Sequence, residues 1–104
     1  MVLVRMSIWH FKDGKREEAF PKIDHILEYS VQRTPGFRGF MTLLPDDDKN
    51  KATILTFWKD VDSLKASEMG VLANTINEIQ ELIKGKVQVT NYNLYSSKFM
   101  IGPE

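Results

Sequence analysis

The chain has 104 residues, 42% hydrophobic and 27% charged, a mix that supports a packed core and excludes fibrous and disordered classes. Fourteen basic side chains balance fourteen acidic ones, so there is no broad positive field to draw nucleic acid or anionic lipid. Cysteine is absent, which removes disulfides, thiolate metal ligands and thiol nucleophiles.

In chain order, Val2 to Phe11 is dense in β-branched and aromatic residues and ends at Lys12-Asp13-Gly14-Lys15, whose turn chemistry closes a first strand. Arg5 interrupts its apolar residues, so the N-terminus reads as neither signal peptide nor membrane span, and the expected location is the cytoplasm. From Lys15 onward Phe20, Ile23, Leu27 and Val31 recur at spacings of three and four, predicting an amphipathic helix that stops at Thr34-Pro35-Gly36. Asp13 is the expected N-cap, and Pro21, which cannot donate to the Glu17 carbonyl, predicts a kink. Phe37 to Leu44 and Ala52 to Trp58 are apolar runs joined by a polar loop and are expected to pair antiparallel. Asp46-Asp47-Asp48 in that loop lacks the glycine and distal glutamate of a calcium loop and reads as a solvated turn. Asp60 is placed to cap a short helix through Met69, and Gly70 separates it from a second stripe of Leu72, Ile76, Ile79 and Ile83 ending near Lys84-Gly85. Lys86 to Tyr95 is the last strand and Ser96 to Glu104 a tail, with a single domain expected over 1–104.

This order, βαββαβ, predicts an α+β ferredoxin-like fold: a four-stranded antiparallel sheet with helices on one face. On the first strand Val2, Val4, Met6 and Ile8 point one way and Leu3, Arg5, Ser7, Trp9 and Phe11 the other, so both faces of the sheet carry apolar area. Helices cover one face, and the simplest cover for the other is a second copy, a homodimer formed through the open sheet face.

Val4-Arg5-Met6, Phe11-Lys12-Asp13-Gly14-Lys15, Pro35-Gly36-Phe37-Arg38-Gly39 and Leu55-Thr56-Phe57-Trp58-Lys59-Asp60, followed by Leu64-Lys65-Ala66-Ser67, occur in an order and spacing that resembles the antibiotic biosynthesis monooxygenase family. The resemblance implies a dimeric α+β barrel with a cleft in each protomer between sheet and helices. Active members oxidise polycyclic phenols to quinones without metal or flavin, or bind haem and degrade it. Trp58 corresponds to the family's conserved tryptophan. The asparagine used by haem-degrading members aligns with Ser7, and their helix histidine has no counterpart in Val71 to Lys84, so the resemblance argues against haem and no cofactor is expected.

The ligand-cleft candidates are Arg5, Ser7, Trp9, Trp58 and Asn74. Arg5 either holds an anionic or enolate-like oxygen or forms an ion pair with Glu68 or Glu78, the simpler expectation. Trp58 either stacks on a planar ligand or seals a helix onto the sheet, and Ser7 is a small hydroxyl suited to a backbone bond. Asn74, Asn77, Asn91, Tyr92 and Asn93 offer polar groups for a phenolic oxygen or, more simply, for solvent. His10 and His25 are the only imidazoles, neither well placed as a base, and no metal site is expected. Met41, Met69 and Met100 suit core filling or a soft pocket wall. Two functions follow: a cofactor-independent monooxygenase acting on a small aromatic or polyketide-like substrate, or a non-catalytic dimeric protein that binds a small hydrophobic ligand. RNA recognition fits poorly, because Arg38-Gly39-Phe40-Met41 falls on the wrong strand for the stacking motif.

Overall fold

Alternating side chains over Leu3–His10 make the central strand, β1, in the computed structural model, which describes residues 2–99. β1 pairs antiparallel with β3 (Lys51–Trp58) on one side, from Leu3 opposite Trp58 to His10 opposite Lys51, and with β4 (Gln88–Asn93) on the other. β2 (Phe37–Leu43) pairs with β3, giving the order β2-β3-β1-β4 of a ferredoxin-like sheet. The helices are α1 (Arg16–Arg33), α2 (Val61–Met69) and α3 (Val71–Glu78), followed by a 3-10 turn over Gln80–Leu82.

The helices pack on the sheet face that carries Leu3, Arg5, Ser7 and Trp9 of β1 and Ala52, Ile54, Thr56 and Trp58 of β3, all of them buried. Ala19, Ile23 and Leu27, at helical spacing on α1, complete the core against Trp9, Phe11 and Trp58. Phe11 meets Phe20 edge to face at 6.2 Å, so the end of β1 is locked under the first turns of α1.

Two expectations need correction. Lys15, not Asp13, precedes α1, because Lys15 N–H closes a tight turn onto the Lys12 carbonyl (2.9 Å) and carries Asp13 away from the helix; the Asp13 carboxylate instead accepts from the Asn50 amide at 3.2 Å. α1 runs on through Pro21, which is exposed and lies near its start, past the one bond that residue cannot make. The Leu72–Ile83 stripe is not one helix. Lys12 N–H donates to the Leu82 carbonyl (2.9 Å) and Lys84 N–H to the His10 carbonyl (2.7 Å), and these bonds draw the chain out to meet the end of β1, so α3 gives way to the 3-10 turn.

Asp60 caps α2 as its sequence position suggests, its carboxylate accepting from Ser63 N–H at 2.8 Å. That bond holds the Asp60 carboxyl below its ordinary value of 3.8. A depressed folded-state value means stability present above pH 3.8 and lost as pH falls through the lower, folded value. Asp60→Ala is therefore expected to lower Tm by a few degrees at pH 7, with the gap to wild type closing below pH 3.8; a gap independent of pH would remove the charge from the account. At the same N-terminal end of α2, Gly36 adopts a left-handed φ of 81°, and its carbonyl accepts from Lys59 N–H at 2.7 Å.

The sheet face away from the helices carries Val4, Met6, Ile8, Met41, Leu55 and Phe57. It is not wholly bare, since the segment 94–99 forms one wall of a groove over Val4, Met41, Leu55 and Phe57. The last strand is shorter than Lys86 to Tyr95, and all six residues of β4 are exposed. The expected tail lies partly outside the described residues, as does Met100. Among the described residues no helix is long and apolar enough to cross a membrane.

Candidate functional site

Period-two geometry sends Arg5, Ser7 and Trp9 from β1, and Ile54, Thr56 and Trp58 from β3, to the helix side of the sheet, where they form the floor of a cavity. Leu27 of α1 and Val71, Leu72 and Thr75 of α3 roof it. Its free volume is about 20 Å³, room for one or two water-sized molecules.

Among the described residues Arg5 is the only charged one lining it, and it is 3% exposed. One terminal nitrogen, Nη1, donates to Ser67 Oγ; the other, Nη2, donates to the Leu64 carbonyl at 2.8 Å and lies 3.8 Å from the Glu68 carboxylate. Of the two glutamates expected as partners, Glu68 is the one found, but its side chain is 56% exposed and well hydrated, so it neutralises Arg5 weakly. Burial pulls the guanidinium below its ordinary value while Glu68 pulls the other way. An arginine in such surroundings still carries its charge at neutral pH.

Most of the other donors in the wall are already committed. Trp9 Nε1–H donates to Ser7 Oγ (2.8 Å), Ser7 O–H to the Ile54 carbonyl (3.3 Å) and Thr75 O–H to the Val71 carbonyl (2.7 Å). Trp58 Nε1–H donates to Thr56 Oγ1 at 2.9 Å. Arg5 Nε–H, by contrast, is buried without a partner among the described residues. Among the described residues no histidine, aspartate or glutamate lines the cavity, so none of them is placed there as a general base.

Trp58 is fully buried and stacked on Phe37 (centroids 4.4 Å apart, planes 11° apart), while the Arg5 guanidinium carbon lies 6.0 Å from its ring centre. Phe37 therefore covers one face of the indole and leaves that face no room for a flat ligand. Asn74 does not join the cavity; it is exposed and lines a surface groove between α1 and α3 with His25 and Tyr29. The reason is helical phase, since Val71 and Thr75, one turn apart, take the inward positions. Asn77 faces the same groove, and Asn91, opposite Arg5 in the sheet register, is exposed on β4. His10 is half-buried on the open-face side, Met69 is exposed and Met41 belongs to the open face. Thr56 and Thr75 are the polar lining residues that sequence reasoning passed over, although the position of Thr56 two before Trp58 on one strand marks it. Among the described residues no group of three His, Asp or Glu side chains is placed to hold a metal.

A ferredoxin-like sheet with a buried cation and two tryptophans beneath its helices defines the class. The sequence pattern of the antibiotic biosynthesis monooxygenase family matches residues 1–69, and the chain belongs to that family. Among solved structures it is similar to a candidate antibiotic biosynthesis monooxygenase from Nitrosomonas europaea, at 19% identity and TM-score 0.78 over 93% of this chain and 94% of that one. It is also similar to a candidate of the same name from Bacteroides thetaiotaomicron, at 15% identity and TM-score 0.76 over 97% and 96%. A third is a haem degrader from Mycobacterium tuberculosis with two haems bound in its active site, at 17% identity and TM-score 0.73 over 93% and 99%. At such identities the likeness shows the fold. No curated protein matches the sequence. The residues lining this cavity do not fit haem, for none of them is a histidine, tyrosine or methionine able to ligate its iron.

Proposed function

We propose that this chain is a cofactor-independent monooxygenase acting on a small aromatic or polyketide-like substrate in the cavity beneath α3. The observation that carries the proposal is Arg5, a buried guanidinium beside Trp58 whose Nε–H has no acceptor among the described residues. A fixed cation in an apolar wall stabilises negative charge on a substrate oxygen far better than water-exposed lysine or arginine does. With Arg5 bound to its oxygen, an ionised phenol or 1,3-dicarbonyl gives up electrons to dioxygen, one oxygen atom ending in the quinone or ketone product and the other in water.

The missing base shapes the mechanism. With no proton acceptor in the wall, the substrate enters already ionised, and the rate is expected to rise with pH through the substrate's own pKa. Across a series of phenols of graded acidity, the midpoint of the pH–rate profile should move with the phenol; a midpoint fixed by the protein overturns the mechanism. Oxygen uptake measured against that panel tests the function itself. Saturable ligand binding with no uptake on any member would favour the non-catalytic small-ligand protein, which the absent base and the small cavity also support.

The proposal includes a homodimer through the open sheet face, in the cytoplasm. Its support is the apolar face of Met6, Met41, Leu55 and Phe57 together with Tyr92, Tyr95 and Phe99, which are 49%, 98% and 61% exposed. β4 adds an outer edge with no charged residue to blunt it. Sedimentation is expected to give about twice the 12.0 kDa chain mass, and Leu55→Asp, on the open face, to return it to the single-chain value with helicity intact. Wild-type protein sedimenting as one chain at micromolar concentration overturns the dimer.

A further inference from the structure

We infer that Arg5 Nε–H and Thr56 O–H form a two-donor pocket for one anionic, acceptor-only group, and that Trp58 is a positioning residue aiming the Thr56 hydroxyl into it. Arg5 and Thr56 are direct register partners on β1 and β3, both on the helix side and both lining the cavity. Such partners hold their Cβ atoms about 5 Å apart, close enough for two donors to converge on one atom. A hydroxyl has one proton and two lone pairs. One Thr56 lone pair takes Trp58 Nε1–H at 2.9 Å, and Thr56 donates to no described residue, so its proton is directed away from the indole. The indole itself is fixed by its stack on Phe37 and by complete burial.

On the other side, bonds from both terminal nitrogens of Arg5 to α2 fix the plane of the guanidinium and with it the direction of Nε–H. Both donors are therefore held in place before a ligand arrives, in a wall that is otherwise mostly apolar. An amine or any other donor-only group meets two donors and no carboxylate there and is rejected. The free volume of about 20 Å³ admits the anionic atom and little else while the roof is closed. The anion comes either from an organic oxyanion or from a small inorganic anion. The inference rests on the reading of this cavity as the reaction site.

Azide is the probe for the inorganic source, followed through the Arg5 Nε–H cross-peak in the nitrogen–proton spectrum of isotope-labelled protein. A saturable shift of that peak is expected. Thr56→Val should weaken azide by about tenfold or more, while Thr56→Ser, which restores the hydroxyl, should stay within about threefold of wild type. Trp58→Phe, which frees the Thr56 rotor, should weaken azide in the same direction as Thr56→Val. 4-Nitrophenol is the probe for the organic source: its absorbance shows a lowered pKa on binding if the pocket takes an organic oxyanion, and binding of azide alone assigns the inorganic one. An Nε–H peak that azide and 4-nitrophenol both leave unmoved, or a Thr56→Val variant that binds as tightly as wild type, overturns the pocket. Thr56-dependent binding with no oxygen uptake keeps the pocket and overturns the oxygenase; uptake undiminished in Thr56→Val does the reverse.

Discussion

Arg5→Met is expected to reduce oxygen uptake by about a hundredfold or more while leaving thermal stability at or above that of the wild type. The activity loss is that of removing a preorganised charge from a developing oxyanion, about 10²–10³ in kcat. The stability argument runs through what Arg5 leaves behind. Ser67 O–H already donates to the Leu64 carbonyl at 2.6 Å, so those two groups keep each other when the guanidinium goes, and Glu68 is hydrated enough to lose its partner at small cost. Removing one partner of an ion pair is costly when the other is left buried, and Glu68, 56% exposed, is not. Arg5→Ala, which empties the site instead, is expected to cost about 2–5 kcal/mol. Oxygen uptake and thermal melts on the two variants separate the roles: a falling Tm with unchanged turnover for Arg5→Met would make Arg5 a structural residue only.

Gly36→Ala is expected to be the most damaging small substitution on the backbone. A Cβ at Gly36 would lie 2.5 Å from the Ser63 Cβ and closer still to its hydroxyl oxygen, in a residue whose φ of 81° already disfavours any side chain. The left-handed conformation costs about 1–2 kcal/mol and the overpacking about 1–3 kcal/mol, together a fall in Tm of roughly 10 °C or more for a domain of this size. Ser63→Gly in the same chain removes the obstructing atoms but not the backbone cost, so the double variant should recover part of the loss. Melting curves for the two singles and the double measure the coupling; a double variant no more stable than the additive sum would mean that Ser63 is not the obstacle.

Strand periodicity made the site partly legible in advance. Arg5, Ser7 and Trp9 are two apart, so the recognition of β1 alone commits all three to one face, and Trp58 follows from the antiparallel pairing of β3. The same rule applied to β3 yields Thr56, which was passed over because a threonine in a strand ordinarily signals only β propensity. Helical positions were harder. Asn74 sits one residue from Thr75, and a helix turns about 100° per residue, so a small error of phase moves a side chain from the cavity to the outer groove. The end of α3 was illegible for another reason: Ile79 and Ile83 keep helical spacing, yet Ile83 is bridged to Phe11, and that long-range bond is written in neither segment alone. Glu68 as the partner of Arg5 was one of two glutamates the sequence left open, since choosing between them needs the crossing of α2 over β1.

The roof over the cavity leans on one short piece: beside Leu27 of α1 it is made by α3, of eight residues, which Gly70 parts from the nine-residue α2 and a 3-10 turn ends. A two-turn helix at that place is expected to open by local unfolding, at less than the free energy of global unfolding. On that expectation, entry of a guest would be governed by how often α3 lifts, more than by the resting shape of the chamber beneath it. Amide protons of Val71–Glu78 should accordingly exchange with solvent faster than those of β1 and β3, and a bound guest should slow them first.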